Sequence, residues 1–216
     1  MNTDKLVGLL STNLEPVNHN RLAVSLTLGL VLGGLCALVL MLMTVGPRPH
    51  FTSIGHLEWF MVKLLFALSV ICVGTRPLLN SMRPGLERDT NYWPILYLVV
   101  AAIIVGLVTL LFGYLELSGQ MLLGATATSP LRCLACVGIF ASIPFVLMIL
   151  VLREGAPIRL RLSGALAGTV AGGIGAAAYA FACVSDTIPF IAIWYSAAIA
   201  LYAVIGATLG PWLLRW

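Results

Sequence analysis

The chain has 216 residues, 60% hydrophobic and only 9% charged, with a mean hydropathy of +1.03. Globular domains carry about 25% Asp, Glu, Lys and Arg, so this composition excludes a water-soluble domain, a disordered tail, a coiled coil and a basic nucleic-acid-binding module. It implies a membrane protein. The formal charge of +4, from twelve Lys and Arg against eight Asp and Glu, is informative through its placement.

The first twenty residues are polar enough to lie outside the bilayer. Thr3 or Asn2 can cap a short helix with Asp4 in its first turn, where a negative charge is favourable. Leu6, Leu10 and Leu14 recur at i, i+4 and i+8 and make one apolar stripe, and Pro16 stops the helix, leaving 15–20 as a polar hinge. A helix this short is marginal alone in water, so it needs lipid headgroups or a protein to cover the stripe. Membrane-lying helices usually carry several cations, and Lys5 is the only one here, which favours a protein partner. The segment has no apolar core or cleavage-type stretch, so no signal peptide is expected before the first span.

Six apolar runs then reach the ~20 residues a helix needs to cross the hydrocarbon core: 22–45, 57–75, 92–115, 131–152, 160–182 and 188–213. The expected fold is all-α, a polytopic six-transmembrane-helix bundle over 21–216 that follows a cytoplasmic segment, 1–20. Alternate connections divide the basic residues unequally. Lys5, Arg21, Arg76, Arg83, Arg88, Arg153, Arg159, Arg161 and Arg215 fall on one side, Arg48 and Arg132 on the other, and Lys63 within a span. The positive-inside rule puts the first group, and with it both termini, in the cytoplasm. The connections are too short for an extramembrane enzyme domain.

The fifth run contains Gly164, Gly168 and Gly172 at four-residue spacing, followed by Gly173 and Gly175. Such spacing lets helix backbones approach closely, either within the chain, the commoner use, or in a homodimer.

Five cysteines are present. Under the threading above, Cys133 begins the fourth span and Cys183 ends the fifth, so both are expected at the outer rim. If that rim faces a bacterial periplasm the pair is on the oxidising side, able to bridge or to share a soft metal ion; otherwise the two are small apolar packing. Cys36, Cys72 and Cys136 read as core fillers. Cys133 and Cys136 match a zinc-type spacing formally, but the depth of Cys136 in the bilayer argues against zinc. His50, His56 and Asp186 are outer-side loop residues that would complete a ligand set only if they converged. Glu58 and Lys63 lie at the edge of the second span, where ionised groups are expensive; an ion pair or snorkelling is the plainer reading, an ion pathway the sharper one. No Ser-His-Asp, HExxH, P-loop or dinucleotide motif is present, so no catalytic residue and no cofactor is assigned.

The C-terminal half carries a resemblance. Leu152-Arg-Glu-Gly-Ala-Pro157, Arg161-Leu-Ser-Gly-Ala-Leu-Ala-Gly168, Tyr179, Cys183 with Asp186, Pro189-Phe190, Trp194-Tyr195 and the terminal Leu213-Leu-Arg-Trp216 resemble the NrsF family, as do Thr3-Asp-Lys-Leu6, Glu15-Pro-Val17 and Arg132-Cys133. The family comprises six-span bacterial inner-membrane proteins that act as anti-sigma factors on an extracytoplasmic-function sigma factor. The resemblance implies a regulator that holds its sigma factor at the membrane and touches no nucleic acid itself. It implies a signal-sensing role for Cys133 and Cys183, on which the two family cysteines fall. Asp4, Lys5, Leu6, Leu10 and Leu14 are then the expected contacts with the sigma factor. The competing readings are a small transporter or channel, which requires a polar path around Lys63 and Glu58, and a structural scaffold.

Overall fold

Hydrocarbon offers no hydrogen-bond partners, so a crossing segment must satisfy its own backbone, and the apolar runs become helices for that reason. The computed structural model describes residues 19–47, 54–83, 93, 94, 97, 100, 101, 104, 130–185 and 190–215. Among them run α1 (His19–Thr44), α2 (Ile54–Ser81), α3 (Pro130–Glu154), α4 (Leu160–Ala180), a π-helical segment (Ile191–Tyr195) and α5 (Ser196–Leu213), which continues that segment. Five helical stretches are long and apolar enough to cross a membrane. Of the run 92–115 the described positions 93, 94, 97, 100, 101 and 104 are helical and exposed. The rest of that run, and the amphipathic segment with Asp4, Lys5, Leu6, Leu10 and Leu14, lie outside the described residues.

Local chemistry sets the ends. At the end of α1 the N–H groups of Val45 and Gly46 both donate to the Met41 carbonyl at 3.0 Å. Gly46 adopts φ +74°, a conformation that costs glycine nothing, and Pro47 cannot continue the helix. Pro130 sits in the first turn of α3, where its missing N–H is no loss.

The glycines of α4 decide the architecture. Of its apolar window 83% is buried inside the chain, against 28% to 44% for the other spans, so α4 is the central helix. Three of its faces meet three neighbours. A β-carbon on Gly164 would collide with the carbonyl oxygen of Gly206, and one on Gly168 with that of Tyr202, both in α5. Gly175 also stands against the backbone of Val137 and Ala141 of α3, less closely, and Gly173 against the side chain of Ile71 of α2. The small-residue register is thus spent on intrachain packing, and no free small face of α4 remains for a second copy. α1 docks on α3 through Gly29 against Met148 and Gly33 against Pro144, and also touches α4.

α4 packs antiparallel to α2, α3 and α5, and α1 antiparallel to α3, which collects the basic residues at one end. There the Arg153 Nε donates to the Leu213 carbonyl at 2.7 Å, the Ser25 hydroxyl donates to Glu154 Oε2 at 2.7 Å, and the Ala156 N–H donates to the Met82 carbonyl at 3.3 Å. The α3–α4 connection therefore ties together the start of α1 and the ends of α2 and α5. Arg21, Arg76, Arg83, Arg153, Arg159, Arg161 and Arg215 all belong to this end, and Arg132 to the opposite one. Between α1 and α2, which touch little, runs a groove of about 470 Å3 lined by apolar residues such as Leu30, Leu38, Leu68, Ile71 and Phe181.

Candidate functional site: a buried lysine and two thiols

Cys133 occupies the first turn of α3 and Cys183 follows the last turn of α4, so the antiparallel packing of these helices brings both to the end opposite the arginines. The expected juxtaposition at one end of the bundle holds, the two side chains lying near each other in one buried cluster. The expected exposure does not. Both side chains are 0% exposed, because the start of α3, the end of α4 and the π-helical segment close around them. Both are free thiols.

Of the remaining cysteines, Cys136 packs against the core as expected, while Cys36 and Cys72 depart from the core-filling expectation. Cys36 and Cys72 are exposed and Cys136 is half-buried. On α1 and α2 only the strip facing the neighbouring helix is covered, and the positions of Cys36 and Cys72 miss it. Arg132, one turn earlier on α3, is the charged neighbour of Cys136.

Lys63 neither snorkels nor lies at the surface. It is 0% exposed while Glu58 is exposed, and its Nζ donates to the Cys183 carbonyl oxygen at 3.1 Å. Its ammonium is also in electrostatic range of the Cys133 thiol. The Cys183 N–H in turn donates to the Tyr179 carbonyl at 2.9 Å, so both backbone polar groups of Cys183 are engaged. The Cys183 thiol makes a long contact, 3.9 Å, to the Ser185 carbonyl.

Aromatic rings complete the enclosure. Tyr179 lies between Phe140 of α3 and Tyr195 of the π-helical segment, with ring centroids 6.3 Å from each. Phe60, one turn before Lys63, meets Phe181 edge-on at 4.8 Å. The Tyr195 hydroxyl is buried without a hydrogen bond of ordinary geometry and lies beside the Cys183 thiol. The π turn, with its extra residue, is what carries Tyr195 into the cluster, and such turns recur at functional sites. Sequence reasoning named Lys63 but not its acceptor, and it missed Tyr179 and Tyr195 as neighbours of the thiols. The signal available for Tyr179 was its spacing of four residues from Cys183, which places the two on one helix face.

Chemically, the cluster offers two thiols and one lysine amine, all buried. Among the described residues no three His, Cys, Asp or Glu side chains converge as a metal site. The side chain of His56 and all of His50 and Asp186 lie outside the described residues.

The family described as Negative regulator of sigma F, NrsF, matches residues 10–216 of the chain. The chain belongs to the NrsF family. Two curated relatives agree with that assignment over their whole lengths. The NrsF protein of Caulobacter vibrioides, named Anti-sigma-F factor, is 28% identical over 224 residues and 100% of both chains. The one from Azospira oryzae, named Probable anti-sigma-F factor, is 28% identical over 218 residues, again 100% of both. No solved structure matches the chain. Membership of NrsF makes the chain a regulatory protein of the anti-sigma type, and its apolar helices are those of a membrane protein.

Proposed function

We propose that the protein is a six-span anti-sigma factor of a bacterial inner membrane that holds an extracytoplasmic-function sigma factor at its cytoplasmic face and releases it when the Cys133–Cys183 pair is chemically modified. The family match over residues 10–216 carries the anti-sigma reading. Six spans and cytoplasmic termini are supported by connectivity. Arg83 is at the arginine-bearing end and Pro130 at the thiol end, and the run 92–115 between them in sequence is apolar enough to cross once. Arginines gathered at one end make that end the cytoplasmic one.

On this reading the stripe Leu6, Leu10 and Leu14 docks in an apolar groove of the sigma factor, with Asp4 and Lys5 at its start, and the exposed arginines orient the complex. Release requires two states of the bundle, since a signal shifts an equilibrium only by its differential affinity. Moving the bound fraction from 99:1 to 1:99 takes roughly 5.5 kcal/mol, within reach of a covalent or thiolate–metal bond. An oxidant such as diamide takes two protons and two electrons from the thiols and becomes the hydrazine while the S–S bond forms. A soft divalent cation displaces two protons and binds two sulfurs. The burial of both thiols supports a site in which either change must rearrange the helix ends. A transport path is not favoured, since Lys63 is sealed inside and the groove between α1 and α2 has an apolar lining.

Two experiments test this. Detergent-solubilised protein should co-purify a sigma factor, and deletion of 1–15 should abolish the co-purification; no sigma factor with the intact chain sinks the reading. Replacing Cys133 and Cys183 by serine, or by alanine to avoid burying a hydroxyl, should leave repression in place and remove the response to diamide or cadmium. An unchanged response removes the thiols from the mechanism.

A further inference from the structure

We propose that Lys63 is a positioning residue of the thiol site, tying α2 to the backbone of Cys183 so that rearrangement of the Cys133–Cys183 pair becomes a movement of α2. The inference rests on the sensing role proposed above for the two thiols.

A lysine one turn from an exposed Glu58 has a side chain long enough to reach the bilayer surface, and most lysines so placed do. This one turns inward and is completely buried. An ammonium inside a bundle persists only with fixed acceptors, and the Cys183 carbonyl is such an acceptor: it lies 3.1 Å from Nζ, on a residue whose own N–H is bound to Tyr179. The Phe60–Phe181 contact adds an aromatic grip between the same two pieces of chain. The Lys63 amine faces the Cys183 carbonyl and lies near the Cys133 thiol, and Cys136, Tyr179 and Tyr195 stand beside the two thiols.

The rest of α2 suits it to move. Among the described helices it packs chiefly on α4, touches α1 little, and leaves Met61, Val62, Leu65 and Leu68 exposed. From Lys63 to Met82 it runs about 28 Å at the ~1.5 Å rise per residue of a helix. At that far end the Met82 carbonyl accepts from Ala156 in the arginine-rich α3–α4 connection. A helix anchored by polar contacts at both ends, its backbone ladder interrupted at Pro77 near the far end, carries displacement from the thiols to the surface where the sigma factor is held.

Cys72 is the built-in reporter, exposed on α2. The full-length protein with Cys36→Ser and Cys136→Ser is labelled at Cys72 with a spin label or bimane, placed in nanodiscs and treated with diamide. The Cys133–Cys183 bridge is quantified by mass spectrometry without reductant. The bridge should change the Cys72 signal when Lys63 is present. In Lys63→Met the bridge should still form while the signal change falls at least fivefold, and Lys63→Gln, which keeps a donor, should recover part of it. Circular dichroism and elution profile check the fold. If Lys63→Met does not yield monodisperse protein, Lys63→Gln carries the test by a reduced signal change. An undiminished signal change in the variants overturns the role of Lys63 and leaves the thiol reading intact. Absence of any bridge in the Lys63 protein overturns the thiol reading itself, and the inference with it.

Discussion

Gly168 of α4 stands directly against the carbonyl oxygen of Tyr202 in α5, with no room for a β-carbon between them. Gly164 and Gly206 repeat the arrangement one turn away. Because the obstacle is backbone, it cannot rotate aside as a side chain would.

Gly168→Ala should therefore destabilise the bundle by about 1–3 kcal/mol, the usual cost of overpacking. Gly34→Ala is the control: nothing lies within 4 Å of its added carbon, and the gain in helix propensity is about 0.5–1 kcal/mol. Thermal unfolding in one detergent should move down for the first variant and stay or rise for the second.

Thiol reactivity should follow burial. With N-ethylmaleimide in mild detergent, Cys36 and Cys72 should be alkylated first, Cys136 later, and Cys133 and Cys183 last. Peptide mass spectrometry over time gives the order, and early modification of Cys133 or Cys183 contradicts the closed site.

Two tyrosines separate a bonded hydroxyl from an unbonded one. Tyr202 Oη donates to the Gly138 carbonyl at 2.5 Å and joins α5 to α3, whereas Tyr195 Oη has no hydrogen bond of ordinary geometry. Tyr202→Phe should cost about 1 kcal/mol, and Tyr195→Phe should be neutral for stability while altering the alkylation rate of the neighbouring Cys183. Unfolding midpoints and that rate are the measurements.

Arg153 holds the end of α5 through the Leu213 carbonyl. Arg153→Ala should cost about 1 kcal/mol or less, because the bond is exposed. Hydrogen exchange should quicken in the last turn of α5 and remain unchanged in α4.

Much of the fold was legible because a bilayer forces hydrophobic length and helix to coincide. The starts and ends of α1, α3 and α4 fall within a few residues of the apolar runs, and the Gly164, Gly168 and Gly172 register announced a close helix contact. Which helix answered was not legible, since nothing local distinguishes Gly206 and Gly210 of α5 from the glycines of another copy. For the thiols, helix direction alone put Cys133 and Cys183 at one end. Their burial depends on the π-helical segment and on Tyr179, which no hydropathy window reports. Lys63 was recognisable as an anomaly, but its partner is a backbone carbonyl 120 positions away, and every residue has such a carbonyl.

Composition and the order of apolar runs sufficed to make this chain a helical membrane protein with its cations gathered toward one side, because lipid penalises exposed backbone and charge whatever the neighbours are. The choice of α4 as the centre, the inward turn of Lys63 and the closing of the thiol pair arise only when the helices pack. They depend on distances between residues far apart in the chain, and those distances exist only after the glycine faces have chosen their partners.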